Sequence, residues 1–118
     1  MTAAPVRGDP AKGPSVLLVK LASGCRIPWH WYTATEQLMF VSGAGTLEMK
    51  DGKPIRLRAG SYASLPGRQI HQPTCSSSCV FFNTADADFD IHYVDESGKE
   101  IPADEALKKR TPPKAEKK

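Results

Sequence analysis

His30, Tyr32 and Glu36 stand close together in the stretch Gly24-Cys25-Arg26-Ile27-Pro28-Trp29-His30-Trp31-Tyr32-Thr33-Ala34-Thr35-Glu36. Imidazole and carboxylate are metal ligands or general bases, and a phenol is a proton donor. On a strand, residues i and i+2 share a face, so His30 and Tyr32 project together. Glu36 follows the short irregular Thr33-Ala34-Thr35 and begins the next apolar run, from which it can return to the same interior. A further histidine, His71, lies far along the chain, past Pro66-Gly67. The plain alternative is an ordinary strand that carries a histidine. In that case Tyr32 is a ring filling the interior, Glu36 is a surface carboxylate, and both histidines are structural.

The segments that must position these residues read as strands. Ser15 to Leu21 (SVLLVKL) is apolar and β-branched, and Gln37 to Val41 (QLMFV) is similar. Leu47 and Met49 alternate with polar residues, Asp51-Gly52 turns, and Ile55 and Leu57 alternate again. Asp-Gly between alternating runs is a strong hairpin signal. SYASL, IHQPTC, CVFFNT and FDIHYVD follow, separated by glycine, proline and serine breaks. Many short strands spaced by turns predict an antiparallel all-β sandwich or barrel. Only ADEALKKR looks helical, with acidic residues at its start and basic ones at its end. Residues 1–14 read as a flexible N-terminal segment, 15–102 as the barrel domain, and 103–118 as a short helix followed by a disordered basic tail.

The chain has 118 residues, enough for one core. Its net charge of +3 resides in residues 103–118; the remaining residues are neutral. That tail has no aromatic residue interleaved with its lysines, which argues against a nucleic-acid partner. No apolar run approaches the ~20 residues needed to span a bilayer. Residues 1–14 lack the apolar core of a signal peptide, so a cytoplasmic location is the default expectation, with a trimmed exported form as the alternative. Of three cysteines, Cys75 and Cys79 flank a serine run; they either close a small disulfide loop or remain two buried thiols.

The glycines, histidine and glutamate together resemble the cupin superfamily. Its first motif runs Gly, five residues, His-x-His, three or four residues, Glu, six residues, Gly, and here Gly24, His30, Tyr32, Glu36 and Gly43 stand at those spacings. Its second motif runs Gly, five residues, Pro-x-Gly, two residues, His, three residues, Asn; here Gly60, Pro66 and His71 match. The departures are Tyr32 for the second histidine, a glycine displaced to Gly67, and Cys75 for the asparagine. The resemblance covers about residues 16 to 95 and implies a cupin jelly-roll barrel, with a short C-terminal helix added by the pattern above.

The resemblance carries over His30, Glu36 and His71 as metal ligands, with Tyr32 as a conditional fourth. Two histidines and a carboxylate are a known facial triad for a divalent metal, which here could be Fe, Mn, Zn, Ni or Cu. Tyr32 is a poor ligand while neutral, its phenol having an ordinary pKa of about 10. Tyr32 and Glu36 are the candidate catalytic residues, as proton donor and carboxylate. The ligand would be a small organic molecule in a barrel mouth lined by Leu38, Phe40, Leu47, Met49, Phe81 and Tyr93. The activity implied is of dioxygenase, isomerase or lyase type; the alternative is a metal-depleted cupin that binds without catalysis. Small cupins commonly pair, so a homodimer is expected. His92, in the last strand, matches no ligand position and reads as non-functional.

Overall fold

In the computed structural model the described residues are 2–109. Ten strands and one helix follow in order: β1 (Thr2–Arg7), β2 (Ser15–Leu21), β3 (His30–Trp31), β4 (Glu36–Ser42), β5 (Ala44–Met49), β6 (Ile55–Arg58), β7 (Tyr62–Leu65), β8 (His71–Cys75), β9 (Cys79–Ala85), β10 (His92–Tyr93) and α1 (Ala103–Lys109). They form two antiparallel five-stranded sheets, in the orders β1-β2-β9-β4-β7 and β10-β3-β8-β5-β6. Consecutive strands often lie in different sheets, as in a jelly roll. The all-β barrel with one short C-terminal helix is thus the observed architecture.

The core lies between the sheets and follows from alternation. Along β4, Glu36, Leu38 and Phe40 are buried while Gln37, Met39 and Val41 face out. Leu47, Leu57, Leu65, Cys79 and Phe81 complete the interior, and the Phe40 and Phe81 rings stack at 5.0 Å. Leu38, Phe40, Leu47 and Phe81 therefore point inward, as their parity suggested, but as members of a closed core. They do not line an open mouth. Met49 packs against this core, and Tyr93 is half-buried beside His30, with ring centroids 6.1 Å apart.

Two features correct the sequence reading and a third decides between the alternatives it left open. Residues 2–7, taken as part of a flexible leader, form β1, which pairs with β2 while all its side chains stay exposed. Backbone hydrogen bonds alone create this strand, so it leaves no apolar alternation to read. FDIHYVD contributes only the two residues of β10 to a sheet; Phe89–Ile91 belong to the loop before it. Cys75 and Cys79 are joined in a disulfide, and Cys25 is the free cysteine. Denatured, unreduced protein should therefore take up a thiol reagent at one site, rising to three after reduction; labelling at three sites before reduction would refute the bridge. The disordered tail expected over 111–118 lies outside the described residues.

The turn before β8 matters for the site. Arg68 occupies the place of the second motif's glycine and keeps a left-handed backbone, φ 70°. Its guanidinium lies 5.2 Å from the centre of the Trp31 ring. Gly67 is needed for space: a side chain there would collide with the Thr33 carbonyl oxygen. The turn so packed holds the β3–β4 loop through Arg68 N–H to Tyr32 C=O, 2.7 Å, and Gly67 N–H to Thr35 Oγ1, 3.1 Å.

Candidate functional site

β3 and β8 are neighbours, and their register sets His30 directly opposite His71. Both side chains enter the interior, with ring centroids 4.3 Å apart. Each ring is oriented by its own approach segment. His30 Nδ1 lies 2.6 Å from the Pro28 carbonyl and His71 Nδ1 lies 2.9 Å from the Gln69 carbonyl. A carbonyl only accepts, so both Nδ1 atoms carry hydrogen and each Nε2 is left to face the interior. This is the usual way a second contact fixes a ligand histidine.

Glu36, the first residue of β4, reaches the same place from the opposite sheet. Its Oε1 stands 3.4 Å from His71 Nε2, and its Oε2 accepts a hydrogen bond of 3.0 Å from Asn83 Nδ2 on β9. The structure thus brings His30, Glu36 and His71 together, at 1%, 3% and 3% exposure, which excludes the surface reading of Glu36. A lone pair on Nε2 facing a carboxylate oxygen is repulsive unless something positive lies between them, either a proton or a cation.

Tyr32 is also buried, its ring edge-on to His30 at 5.0 Å and 5.8 Å from His71. Burial raises its phenol well above the ordinary range, and Glu36, Tyr93 and Asp90 reinforce the effect. Tyr32 is therefore a neutral hydrogen-bond donor. Burial, together with the neighbouring His71, lowers His30 to about 3 despite the opposing Pro28 hydrogen bond. His30 is thus a neutral imidazole at any ordinary pH.

In donor type, two neutral imidazoles and a carboxylate suit a divalent cation. In spacing they stand as a His71–Glu36 pair with the His30 ring tilted against His71 at 59°. Among the described residues, no group of three His, Cys, Asp or Glu is arranged to hold a metal ion. If a metal is held, His30, Glu36 and His71 are the residues that would hold it.

Sequence reasoning missed the groups around this set. Asn83 orients Glu36; a polar residue continuing the inward row Cys79, Phe81 would have signalled it. His92 is better connected than its sequence position suggested. Its ring stacks on Trp31 at 3.9 Å, and its two nitrogens lie 3.0 Å from Glu100 Oε2 and from Asp90 Oδ2. Both nitrogens facing carboxylates must donate, so the ring is imidazolium. The Glu100 hydrogen bond raises its pKa above 6.5, partial burial opposes, and Asp90 adds to the rise. The charged contact is complete below 6.5 and is lost as pH climbs through the raised value. Tryptophan emission should rise over that titration, because a stacked imidazolium quenches indole, and His92→Gln should abolish the transition. A midpoint at or below 6.5 would contradict the geometry.

A cleft of about 760 Å³ lies elsewhere, lined by Arg26, Trp29, Gln72, Glu96 and Ile101 among others. Trp29 and Gln72 adjoin His30 and His71 in the chain, so they leave the sheet on its outer face. His30, Glu36 and His71 are buried and lie outside the lining of this cleft.

Comparison with protein families matches residues 12–92 to the EutQ-like cupin domain. Solved structures with the same fold include a cupin-like protein from Thermotoga maritima, 15% identical, covering 90% of this chain and 81% of that one, with a TM-score of 0.69. The DMSP lyase DddQ from Ruegeria pomeroyi is 18% identical with a TM-score of 0.66; the match covers 74% of this chain and 47% of that protein. Ectoine synthase from P. lautus is 17% identical with a TM-score of 0.58, over 64% of this chain and 55% of its own. At these identities the likeness concerns the fold alone. No curated protein gives a significant sequence match.

Proposed function

This chain belongs to the EutQ-like cupin domain family, and from that premise we propose that it is a small metal-dependent cupin acting on a small organic molecule at the His30–Glu36–His71 face. The observation that carries this reading is the 3.4 Å approach of Glu36 Oε1 to His71 Nε2, with both histidine tautomers fixed so that Nε2 faces inward. His30, Glu36 and His71 would hold the metal, and Asn83 keeps Glu36 turned toward His71. Such a metal would supply Lewis-acid polarisation of a substrate oxygen. Tyr32, kept protonated by burial, donates a hydrogen bond or proton to an oxygen of the substrate. Of the dioxygenase, isomerase and lyase types, the lyase type has most support. A buried proton donor, Tyr32, beside the Glu36 carboxylate suits elimination.

Elemental analysis of protein purified without a histidine tag, followed by calorimetric titration with zinc, manganese and ferrous iron, tests the reading. Near-stoichiometric metal that is lost in His71→Ala is the expected result. A second reading, binding without metal or catalysis, is favoured by one observation, the neutral Tyr32 in place of a fourth ligand. Absence of metal together with absence of any titration heat would select it.

The proposal includes a homodimer formed through a sheet edge. β1 is an edge strand exposed along its whole length, with Val6 58% exposed, and such edges are commonly covered by pairing. Light scattering should give twice the mass of 12.8 kDa; the monomer mass would reject it.

A further inference from the structure

The His30–His71 pair is buried, yet any ligand must reach it, so one wall of the site has to move. One wall of the site is the irregular segment 86–91 between β9 and β10. It crosses the β3–β4 loop and is fastened there by side chains and turn-type contacts, without a strand ladder. Asp86 makes two contacts with Thr35: its Oδ1 accepts from Thr35 N–H at 3.0 Å, and its own N–H donates to Thr35 C=O at 3.2 Å. Phe89 N–H donates to the Pro10 carbonyl, 2.7 Å, and the Phe89 ring lies on Tyr32 at 5.1 Å while remaining 40% exposed. Asp90 takes two hydrogen bonds from Thr33, N–H at 2.9 Å and Oγ1–H at 2.6 Å.

We propose that segment 86–91 is a latch over the site, with Phe89 as its cover, Asp90 as its catch on Thr33, and His92 bracing the catch from behind. The two sides of the closure differ in kind. The β3–β4 loop is held from below by Gly67 and Arg68 and is the fixed jamb. The latch is held by the side-chain and turn contacts described above, with no strand ladder, and its Phe89 ring covers Tyr32 from the solvent side. Segments of this type, with few buried apolar contacts and solvent-accessible hydrogen bonds, open at much lower free energy than core strands. Burial pushes the Asp90 carboxyl up, but the Thr33 hydrogen bonds and then His92 outweigh it and hold it down to about 2. The catch is therefore a full carboxylate. His92 presents one nitrogen to Asp90 and the other to Glu100, while Trp31, backed by Arg68, covers its face. The inference concerns access alone and holds for metal-bound and metal-free protein.

Histidine modification reads this access directly, because the chain has three histidines. Full-length protein is treated with diethyl pyrocarbonate in the presence of a chelator, so that an occupied Nε2 does not mask the result. Peptide masses then give the rate at each histidine. His30 and His71 should react far more slowly than the same two histidines in denatured protein. Asp90→Ala should speed both by about ten- to a hundredfold, and Thr33→Val, which removes one hydrogen bond, by a few-fold. Amide exchange in β2 and β9 should stay slow in both. Asp95→Ala, which frees the 95–99 turn outside the latch, should leave His30 and His71 unchanged. Unaltered His30 and His71 rates in Asp90→Ala and Thr33→Val would overturn the latch. So would acceleration matched by equal loss of protection in β2 and β9, which would mean global unfolding. Metal titration is a separate measurement, so loss of the metal reading leaves this result interpretable.

Discussion

Tyr32→His is expected to tighten divalent-metal binding by roughly 10–100-fold, at least the scale that changes around a metal's ligands produce. The phenol of Tyr32 is buried and held protonated, and it lies edge-on to His30 at 5.0 Å. An imidazole in its place is neutral at the same pH and adds a nitrogen donor to the two already present. His71→Ala is expected to reduce binding to background, because it leaves one imidazole and a carboxylate whose partner is gone. Protonation of ligand histidines competes with metal, so affinity should fall in acid. His30 does not begin that loss: burial first, then His71, lowers it to about 3, so it stays available as a ligand through mild acid. Calorimetric titration of metal-free protein with zinc, manganese and ferrous iron measures all three effects. If Tyr32→His binds no better than the native chain, and neither exceeds His71→Ala, the site is structural.

Much of this arrangement was legible before the structure, for identifiable reasons. His30, Glu36 and His71 could be grouped because two motifs fix their spacing from turn glycines, and strand period fixes their face. The Asp51-Gly52 hairpin could be read because its turn chemistry and its alternation agree. β1 could not, since its bonds to β2 are made by backbone and its side chains bury nothing. The latch was illegible for a related reason. Asp86 and Asp90 look like loop aspartates in ADADFD, and only the fold shows that they meet Thr35 and Thr33 across 51 and 57 residues of chain. FDIHYVD alternates well enough to suggest a long strand, but Phe89 and Asp90 are used on Tyr32 and Thr33 instead. The disulfide remained open because spacing alone does not set the direction of two thiols across a turn; here the β8–β9 turn brings the Cα atoms to 6.0 Å.

Gly43→Ala is expected to be among the most destabilising single-methyl additions in this chain. Gly43 separates β4 from β5 and has φ 92°, where an ordinary residue is strained by roughly 1–2 kcal/mol. Space is the larger difficulty. A Cβ there would meet the backbone of the β8–β9 turn, at 2.8 Å from the Ser78 carbonyl carbon and 2.9 Å from Cys79 Cα, with the Ser78 oxygen closer still. Those atoms belong to backbone anchored by the Cys75–Cys79 bridge and by Ser76 N–H to Ala44 C=O at 2.9 Å, so they cannot swing aside as a flexible side chain would. Overpacking of this kind costs about 1–3 kcal/mol more, a combined loss of roughly 2–5 kcal/mol. Gly24→Ala provides the comparison: φ is 82° but nothing lies within 4 Å, so strain acts alone. Thermal denaturation should show a fall of several degrees for Gly24→Ala and at least about twice that for Gly43→Ala, given a few degrees per kcal/mol in a domain of this size. Equal losses for the two variants would show that the β8–β9 turn yields, and that the first motif's last glycine serves backbone conformation without serving close approach.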